Sequence, residues 1–354
     1  MNRYFLWVVG VLLATAASAP AQQVEWKDPS PHTVKLVTVE DGVQLEVLDW
    51  GGSGQSLVLL AGLGGTAHYF DDLAPALIAR HRVLAITRRA HPGSSTPATG
   101  YGFARLAEDI VRVIDTIGVS RPIVIGHSFA GEEMHVLGAR YSAKISGLIY
   151  VDAAFDRGDD ADGEAYNAVA RTLPGAPSPG PGDLVSFTAL HAFQEKTFGF
   201  AQPEAFLRTR FLTNPDGGIS GQWAPDPPIR QEITKEMRAA YNQYSPERIR
   251  VPALAIYAVP KSADDLMRRG SSDRLRLPET VVASVANDPA LRERVEKLFQ
   301  LTRERVRNHE KWFEAFAERG RVVELSGPHD LIVSNRSEVL QQIEAFLASL
   351  PERR

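Results

Sequence analysis

The sequence predicts an α/β fold: a mostly parallel central sheet flanked by helices, with a cap inserted after the sixth strand. Three observations carry this reading. Short runs of branched apolar residues alternate with segments of helical periodicity along most of the chain. One such run, Pro122 to Ile125, ends in Gly126-His127-Ser128-Phe129-Ala130-Gly131 and passes at once into a helical segment. The alternation then stops after Asp152 and resumes only at Pro252, with a Pro-, Gly- and aromatic-rich stretch between.

Taken in order, the chain opens with Asn2-Arg3, an apolar run from Tyr4 to Ala17, and Ala19-Pro20-Ala21. A basic start, an apolar core and small residues form the pattern of a secretory signal, removed after Ala21 to leave Gln22 first. The run is shorter than the ~20 residues a bilayer span needs, which disfavours an uncleaved anchor and leaves no membrane association after cleavage. Val34 to Val39 and Val43 to Leu48 form two strands around Asp41-Gly42, a hairpin signal. Leu57 to Leu60 is a continuous apolar strand followed by Ala61-Gly62-Leu63-Gly64-Gly65, a glycine-rich turn. Tyr69 to Ala79 reads as an amphipathic helix and Val83 to Ile86 as a strand. Leu106, Ile110, Val113, Ile114 and Ile117 give Phe103 to Ile117 helical spacing. The strand before Ser128, the helix Phe129 to Tyr141 and the strand Gly147 to Val151 follow.

From 155 to 250 the order changes. Pro174-Gly175 and Pro179-Gly180-Pro181-Gly182 break regularity, and Phe187, Phe193, Phe198, Phe200, Phe206, Phe211, Trp223, Tyr241 and Tyr244 supply aromatics. The stretch reads as an inserted cap of short helices and loops. Pro252 to Tyr257 resumes the sheet, a charged helical region runs from Pro289 to Arg319, Arg321 to Leu325 is the last strand, and Ser337 to Leu350 the closing helix. The expected organisation is therefore a signal at 1–21, a first core part at 22–154, the cap at 155–250 and a second core part at 251–354.

Composition narrows the chemistry. The 354 residues carry a net charge of −4 and no cysteine. Disulfides, thiolate metal sites and a lipid-modified N-terminus are excluded, and the charge argues against nucleic acid. Arg268-Arg269 and Arg303 to Arg307 lie among acids at helical spacing, as solvated helix faces do. Export without disulfides points to a bacterial periplasmic or secreted protein.

The turn at Ser128 has the layout of a nucleophile elbow, in which a serine sits on a strained strand-to-helix turn with its hydroxyl above the sheet. Gly-x-Ser-x-Gly is met except at its last position, where Ala130 stands and Gly131 follows. A serine hydroxyl needs a base and donors for the developing oxyanion. The backbone N–H of Phe129, at the start of the helix, is one donor; that of Leu63, in the glycine-rich turn, is the second. Among nine histidines, His329 follows the last strand, and strand C-termini share one edge of a parallel sheet, so it is the expected base. His127 adjoins the serine but points away from it. His68 and His91 sit on strand-end loops and are candidates to line the pocket; His135 and His309 lie within helical patterns. Glu132 and Glu133 read as first-turn residues favoured by the helix dipole.

The order of elements resembles the α/β-hydrolase superfamily over nearly the whole mature chain. Gly126-His127-Ser128-Phe129-Ala130-Gly131 is similar to its elbow, Arg88-Arg89-Ala90-His91-Pro92-Gly93-Ser94 to its loop after strand four, and Gly327-Pro328-His329 to its histidine loop. Ala61-Gly62 stands where the family often has His-Gly. The resemblance implies a Ser-His-acid triad whose acid usually follows strand seven, and there this chain has no carboxylate until Asp264 and Asp265. Some branches place it after strand six, where Asp152 ends a buried strand and would need a partner such as a histidine N–H. Asp152 is the expected acid and Asp264 or Asp265 the alternative. The implied activity is hydrolysis of a carboxylic ester without metal or organic cofactor, on a small molecule with an apolar or aromatic moiety. C–C hydrolase, lyase, perhydrolase or amidase chemistry, or a non-catalytic ligand-binding member, are the alternatives.

Overall fold

The computed structural model describes residues 26–156, 161–243, 247–270, 277 and 279–351. The expected signal at 1–21, with its cleavage point, lies outside them, as does Tyr244. Among the described residues, no helix is long and apolar enough to cross a membrane.

The chain begins with an antiparallel hairpin, β1 (Thr33–Glu40) and β2 (Val43–Gly51), turned at Asp41-Gly42. There follow β3 (Gln55–Leu60), a 3-10 turn at Ala67–Phe70, α1 (Ala74–Leu77), β4 (His81–Ile86), α2 (Phe103–Ile117), β5 (Ile123–His127), α3 (Ala130–Arg140) and β6 (Gly147–Val151). The insertion after β6 holds α4 (Ala161–Ala170), α5 (Phe187–Phe198), α6 (Glu204–Arg210), a small hairpin of β7 (Phe211–Thr213) and β8 (Ile219–Gln222), and α7 (Pro227–Asn242). The chain closes with β9 (Ala253–Ala258), α8 (Ala263–Arg269), α9 (Glu279–Val285), α10 (Pro289–Phe316), β10 (Gly320–Leu325), α11 (Leu331–Ser334) and α12 (Arg336–Ser349).

Eight strands form one sheet in the order β1-β2-β4-β3-β5-β6-β9-β10. Only β1–β2 and β2–β4 pair antiparallel; the rest are parallel. The continuous apolar runs of the inner strands follow from burial on both faces. In β3, Val58 and Leu60 enter the core beneath α2 and α3, while Leu57 and Leu59 enter the core beneath α1 and α12. β6 and β9 divide the same way, with Leu148 and Tyr257 on one face and Ile149 and Ile256 on the other.

Three local expectations are corrected. Tyr69 to Ala79 is not one helix but the 3-10 turn and the single turn of α1, because Pro75 at the second turn supplies no N–H to continue a ladder from upstream. The insertion carries a strand hairpin as well as helices. The charged helix expected from Pro289 is present as α10, but α8 and α9 precede it between β9 and β10; with α4 these helices bury a separate cluster around Tyr166, Leu266, Val295 and Leu298.

Candidate active site

Ser128 follows β5 with φ +55°, the left-handed region that a non-glycine residue rarely adopts. Crowding explains the glycines around it. A Cβ on Gly126 would lie 2.2 Å from Met134 Sδ and 2.8 Å from the Ala130 methyl, and one on Gly131 would lie 1.9 Å from the Ala153 carbonyl oxygen. The methyl at Ala130 therefore fits because Gly126 makes room for it. The second glycine is required one position later, where α3 passes against the end of β6.

The structure brings Ser128, His329 and Asp152 together. His329 sits between β10 and α11, and its Nε2 is 2.7 Å from Ser128 Oγ. Its Nδ1 is 2.6 Å from Asp152 Oδ2. Asp152 ends β6 fully buried, with φ +46°. Its other oxygen accepts the N–H of Ala258 at the end of β9, 3.0 Å away. The alternative acids lie elsewhere: Asp265 accepts from Lys261 N–H and from the Ser326 hydroxyl, and Asp264 is exposed and faces Arg292. Both belong to the first turn of α8, and among the described residues only Asp265 of the two is hydrogen-bonded, by the Lys261 loop and Ser326. In the arrangement observed, the serine hydroxyl donates to Nε2 and Nδ1–H donates to the carboxylate, the hydrogen-bond order in which imidazole accepts the serine proton. The His329 side chain is 29% exposed, so solvent reaches the site.

The glycine-rich turn lies directly against the serine. A Cβ on Gly62 would stand 3.0 Å from Ser128 Cβ and 3.5 Å from its hydroxyl oxygen. The Gly62 carbonyl accepts from Arg88 Nη1 at 3.3 Å and from Gly65 N–H at 3.0 Å. Since a trans peptide directs C=O and N–H to opposite sides, anchoring that carbonyl aims the N–H of Leu63 the other way. The Ser128 carbonyl accepts from Gly131 N–H at 3.0 Å and fixes the N–H of Phe129 likewise. Among the described residues, neither N–H donates a backbone hydrogen bond. Leu63's side chain itself is 53% exposed, so only its backbone is tied to the site.

Four supporting residues were not assigned these roles by the sequence. Arg88 donates to the Ala61 carbonyl at 2.9 Å and forms a two-pronged pair with Glu133, with Nη2 to Oε2 at 3.1 Å. Glu133 stands in the first turn of α3, as expected, but it is buried, and desolvation raises its pKa against the opposing pull of Arg88. His91 accepts Gly64 N–H on Nε2 at 3.1 Å and donates from Nδ1 to the Arg89 carbonyl at 3.0 Å. It does not line a pocket but pins the turn; burial, aided by the Arg88 cation, lowers its pKa to about 4 and keeps it neutral. His127 points away from the serine and donates from Nε2 to the His329 carbonyl at 2.9 Å, stacked on Tyr69 with ring centroids 5.1 Å apart. Burial and the neighbouring His329 lower its pKa to about 4. His68 lies on the far side of the 3-10 turn, bonded to Asp71. A neighbouring histidine and a first-turn glutamate carry no sequence mark of burial, so nothing in the pattern distinguishes these from surface residues.

Most cap aromatics are spent on packing. Phe187 joins Leu190, Leu207 and Ile219, and Phe198 contacts both Phe193 and Phe200. Phe206 and Tyr241 reach the site's surroundings, Phe206 against Tyr69 and Tyr241 against Phe103, which itself contacts Phe129.

A sheet with this strand order, a serine at the strained turn after β5 and a histidine after β10 are features of the α/β-hydrolase fold. Residues 55–197 match the family model described as alpha/beta hydrolase fold, and the chain has that fold. It is 31% identical over 137 residues to the magnesium-chelatase 30 kDa subunit of Rhodobacter capsulatus, covering 38% of this chain and 48% of that one. It is 28% identical over 101 residues to a 2-(acetamidomethylene)succinate hydrolase of Mesorhizobium japonicum, covering 28% and 36%. The chain thus spans less than half the length of these curated relatives. A crystal structure of E-2-(acetamidomethylene)succinate hydrolase superposes with a TM-score of 0.56 at 18% identity, covering 90% of this chain and all of that one, a likeness of fold.

Proposed function

We propose that this chain is an exported serine hydrolase that cleaves a carboxylic ester. The observation that carries the reading is the relay from Ser128 Oγ through His329 to Asp152, at 2.7 and 2.6 Å, beside two backbone N–H groups with no backbone acceptor. Ser128 attacks the acyl carbon as His329 Nε2 takes its proton. The oxyanion accepts from the N–H groups of Leu63 and Phe129. Collapse expels the alcohol, protonated by His329, and leaves an acyl-serine. Water then attacks, again deprotonated by His329, and releases the acid and free Ser128. Asp152 holds the imidazole in the required tautomer and offsets its charge when protonated.

Arg210 bears on the substrate. It ends α6, with Nη2 3.7 Å from where a Gly64 Cβ would stand and its guanidinium 5.5 Å from the Phe206 ring centroid. Burial lowers its pKa, partly offset by Asp330 and Tyr69. Among the described residues no carboxylate forms an ion pair with it, and a desolvated cation favours an anionic partner. An ester bearing a carboxylate fits this cation; the succinate derivative in the name of one relative is of that class.

The test is labelling with a serine-directed fluorophosphonate followed by a panel of neutral and carboxylate-bearing esters. Labelling and turnover that vanish in Ser128→Ala support the reading; full activity of that variant on a cleaved ester overturns it. Arg210→Gln is expected to cost tenfold or more on the carboxylate-bearing esters alone, the scale of a charge-assisted hydrogen bond of about 1.5–3 kcal/mol. Export rests on the residues before Gln22, and N-terminal sequencing of the periplasmic protein checks it by finding Gln22 first.

A further inference from the structure

Away from the triad, the segment before β1 meets the 3-10 turn after the glycine-rich loop. Four titratable side chains converge there: Asp28 and His32 from the first, His68 and Asp71 from the second. His68 Nδ1 is 3.1 Å from Asp28 Oδ2 and 2.9 Å from Asp71 Oδ2. His32 Nε2 is 3.8 Å from Asp28 Oδ2, and its Nδ1 is 3.5 Å from Asp71 Oδ1. Asp28, His32 and His68 each offer one donor atom, all within 4.8 Å of one another.

Three of these polar atoms are left over. Asp28 Oδ2, His32 Nδ1 and Asp71 Oδ1 are buried with no hydrogen-bond partner among the described residues. Orphaned buried polar atoms are uncommon and each costs free energy; three facing one another call for a common cause. Ion pairing alone accounts for His68, whose Nδ1 sits close to a carboxylate. It does not account for His32, whose two ring nitrogens stand at distances too long for good hydrogen bonds. A zinc-sized cation binds its N and O ligands at about 2.0–2.2 Å in a tetrahedron, which sets neighbouring ligand atoms somewhat over 3 Å apart. The observed spacings bracket that value.

We propose that Asp28, His32 and His68 bind a divalent transition metal of the zinc class. His32 binds through Nε2, and its Nδ1–H then donates to Asp71, the carboxylate-to-histidine contact that orients metal-bound imidazoles. Two imidazoles select zinc over calcium or magnesium, which take oxygen ligands. The metal joins the segment at Asp28 to the turn at His68, a junction also tied by the Trp50 indole N–H to Ser30 Oγ at 2.9 Å and by Ser30 Oγ to the Asp71 carbonyl at 3.3 Å. Its role is structural, since none of the four residues contacts Ser128, His329 or Asp152 through a hydrogen bond described above.

The experiment uses the mature protein, stripped with a chelator and dialysed against micromolar zinc chloride. About one zinc per chain by elemental analysis, a rise of several degrees in Tm on zinc addition, and a cobalt(II) absorption spectrum of tetrahedral type are expected of the wild type. His329→Ala, which removes the imidazole beside Ser128, is expected to keep the metal. His32→Ala and His68→Ala are expected to lose it, and Asp28→Asn to weaken it without removing either ring. Wild-type protein that retains no zinc and gains no Tm overturns the proposal by itself, whatever the variants do. Zinc retained by His32→Ala and His68→Ala but lost from His329→Ala assigns the ion to the catalytic histidine and overturns it equally.

Discussion

At the scale of single residues, the triad and the glycines around it make separable demands. In the proposed mechanism Asp152 serves by orientation, so Asp152→Asn should leave the fold intact by circular dichroism and lower kcat by roughly four orders of magnitude, the scale of a mis-set tautomer. Steady-state kinetics on an activated ester would check it; an unchanged kcat would return the acid to another residue. Gly131 serves by absence of volume. Gly131→Ala drives a methyl into the Ala153 carbonyl, a backbone atom that cannot swing aside, and should destabilise the protein by about 2–3 kcal/mol in denaturant titration. Ala130→Gly completes the usual motif spacing yet should gain nothing, because it only adds backbone freedom at the first turn of α3, a cost of about 0.5–1 kcal/mol.

At the scale of elements, the glycine-rich turn and the cap helix are each held by one charged side chain. Arg88 binds two turn carbonyls while paired with buried Glu133. Arg88→Met strands that carboxylate and should cost about 3–5 kcal/mol. The double variant Arg88→Met with Glu133→Leu should regain most of the Tm but not the kcat, since the Ala61 and Gly62 carbonyls lose their anchor; recovery of both would deny Arg88 a positioning role. In the cap, Glu236 of α7 accepts the N–H groups of Gly100, Tyr101 and Gly102 at 2.9, 2.7 and 3.2 Å, where α2 begins. Met237, Ala240 and Tyr241 of the same helix rest on Phe103 and Phe129. Glu236→Ala leaves three donors without their acceptor, so hydrogen exchange along α7 should speed up while the sheet stays protected, and KM should rise more than kcat falls.

At the scale of the whole molecule, buried neutral histidines set an acid limit. His91, His127 and His135 each have a pKa lowered by burial to about 4. Between that value and the ordinary 6.5 the unfolded chain binds protons that the folded chain refuses, so stability is full above pH 6.5 and falls as the pH drops toward 4. Each contributes a slope of up to about 1.4 kcal/mol per pH unit. Glu310 acts with the opposite sign: burial and the neighbouring Glu324 raise its pKa to about 7, so its contribution is present at low pH and fades as pH rises. Three against one leaves a net loss in acid, and Tm should fall between pH 7 and pH 5; a flat profile would contradict it.

The sequence alone determined the sheet, its antiparallel edge, the strained serine and the histidine after the last strand. These features are written locally, in runs of apolar residues on doubly buried strands and in glycines at a turn with no room for side chains. It also placed the insertion after the sixth strand and the long helix from Pro289, though not the hairpin or α8 and α9, whose strands and helices are too short to mark. The tertiary structure decided the rest. It set Asp152 rather than Asp264 or Asp265 against His329, because β6 and β9 end side by side while α8 holds Asp265 to Lys261 and Ser326 and leaves Asp264 exposed. It buried Glu133, His91 and His127, which look like surface residues in sequence, and made them the supports of the serine and its base. It also brought Asp28 and His32 to His68 and Asp71 across more than thirty residues. Such pairings depend on which segments meet in space, and a one-dimensional pattern does not record that.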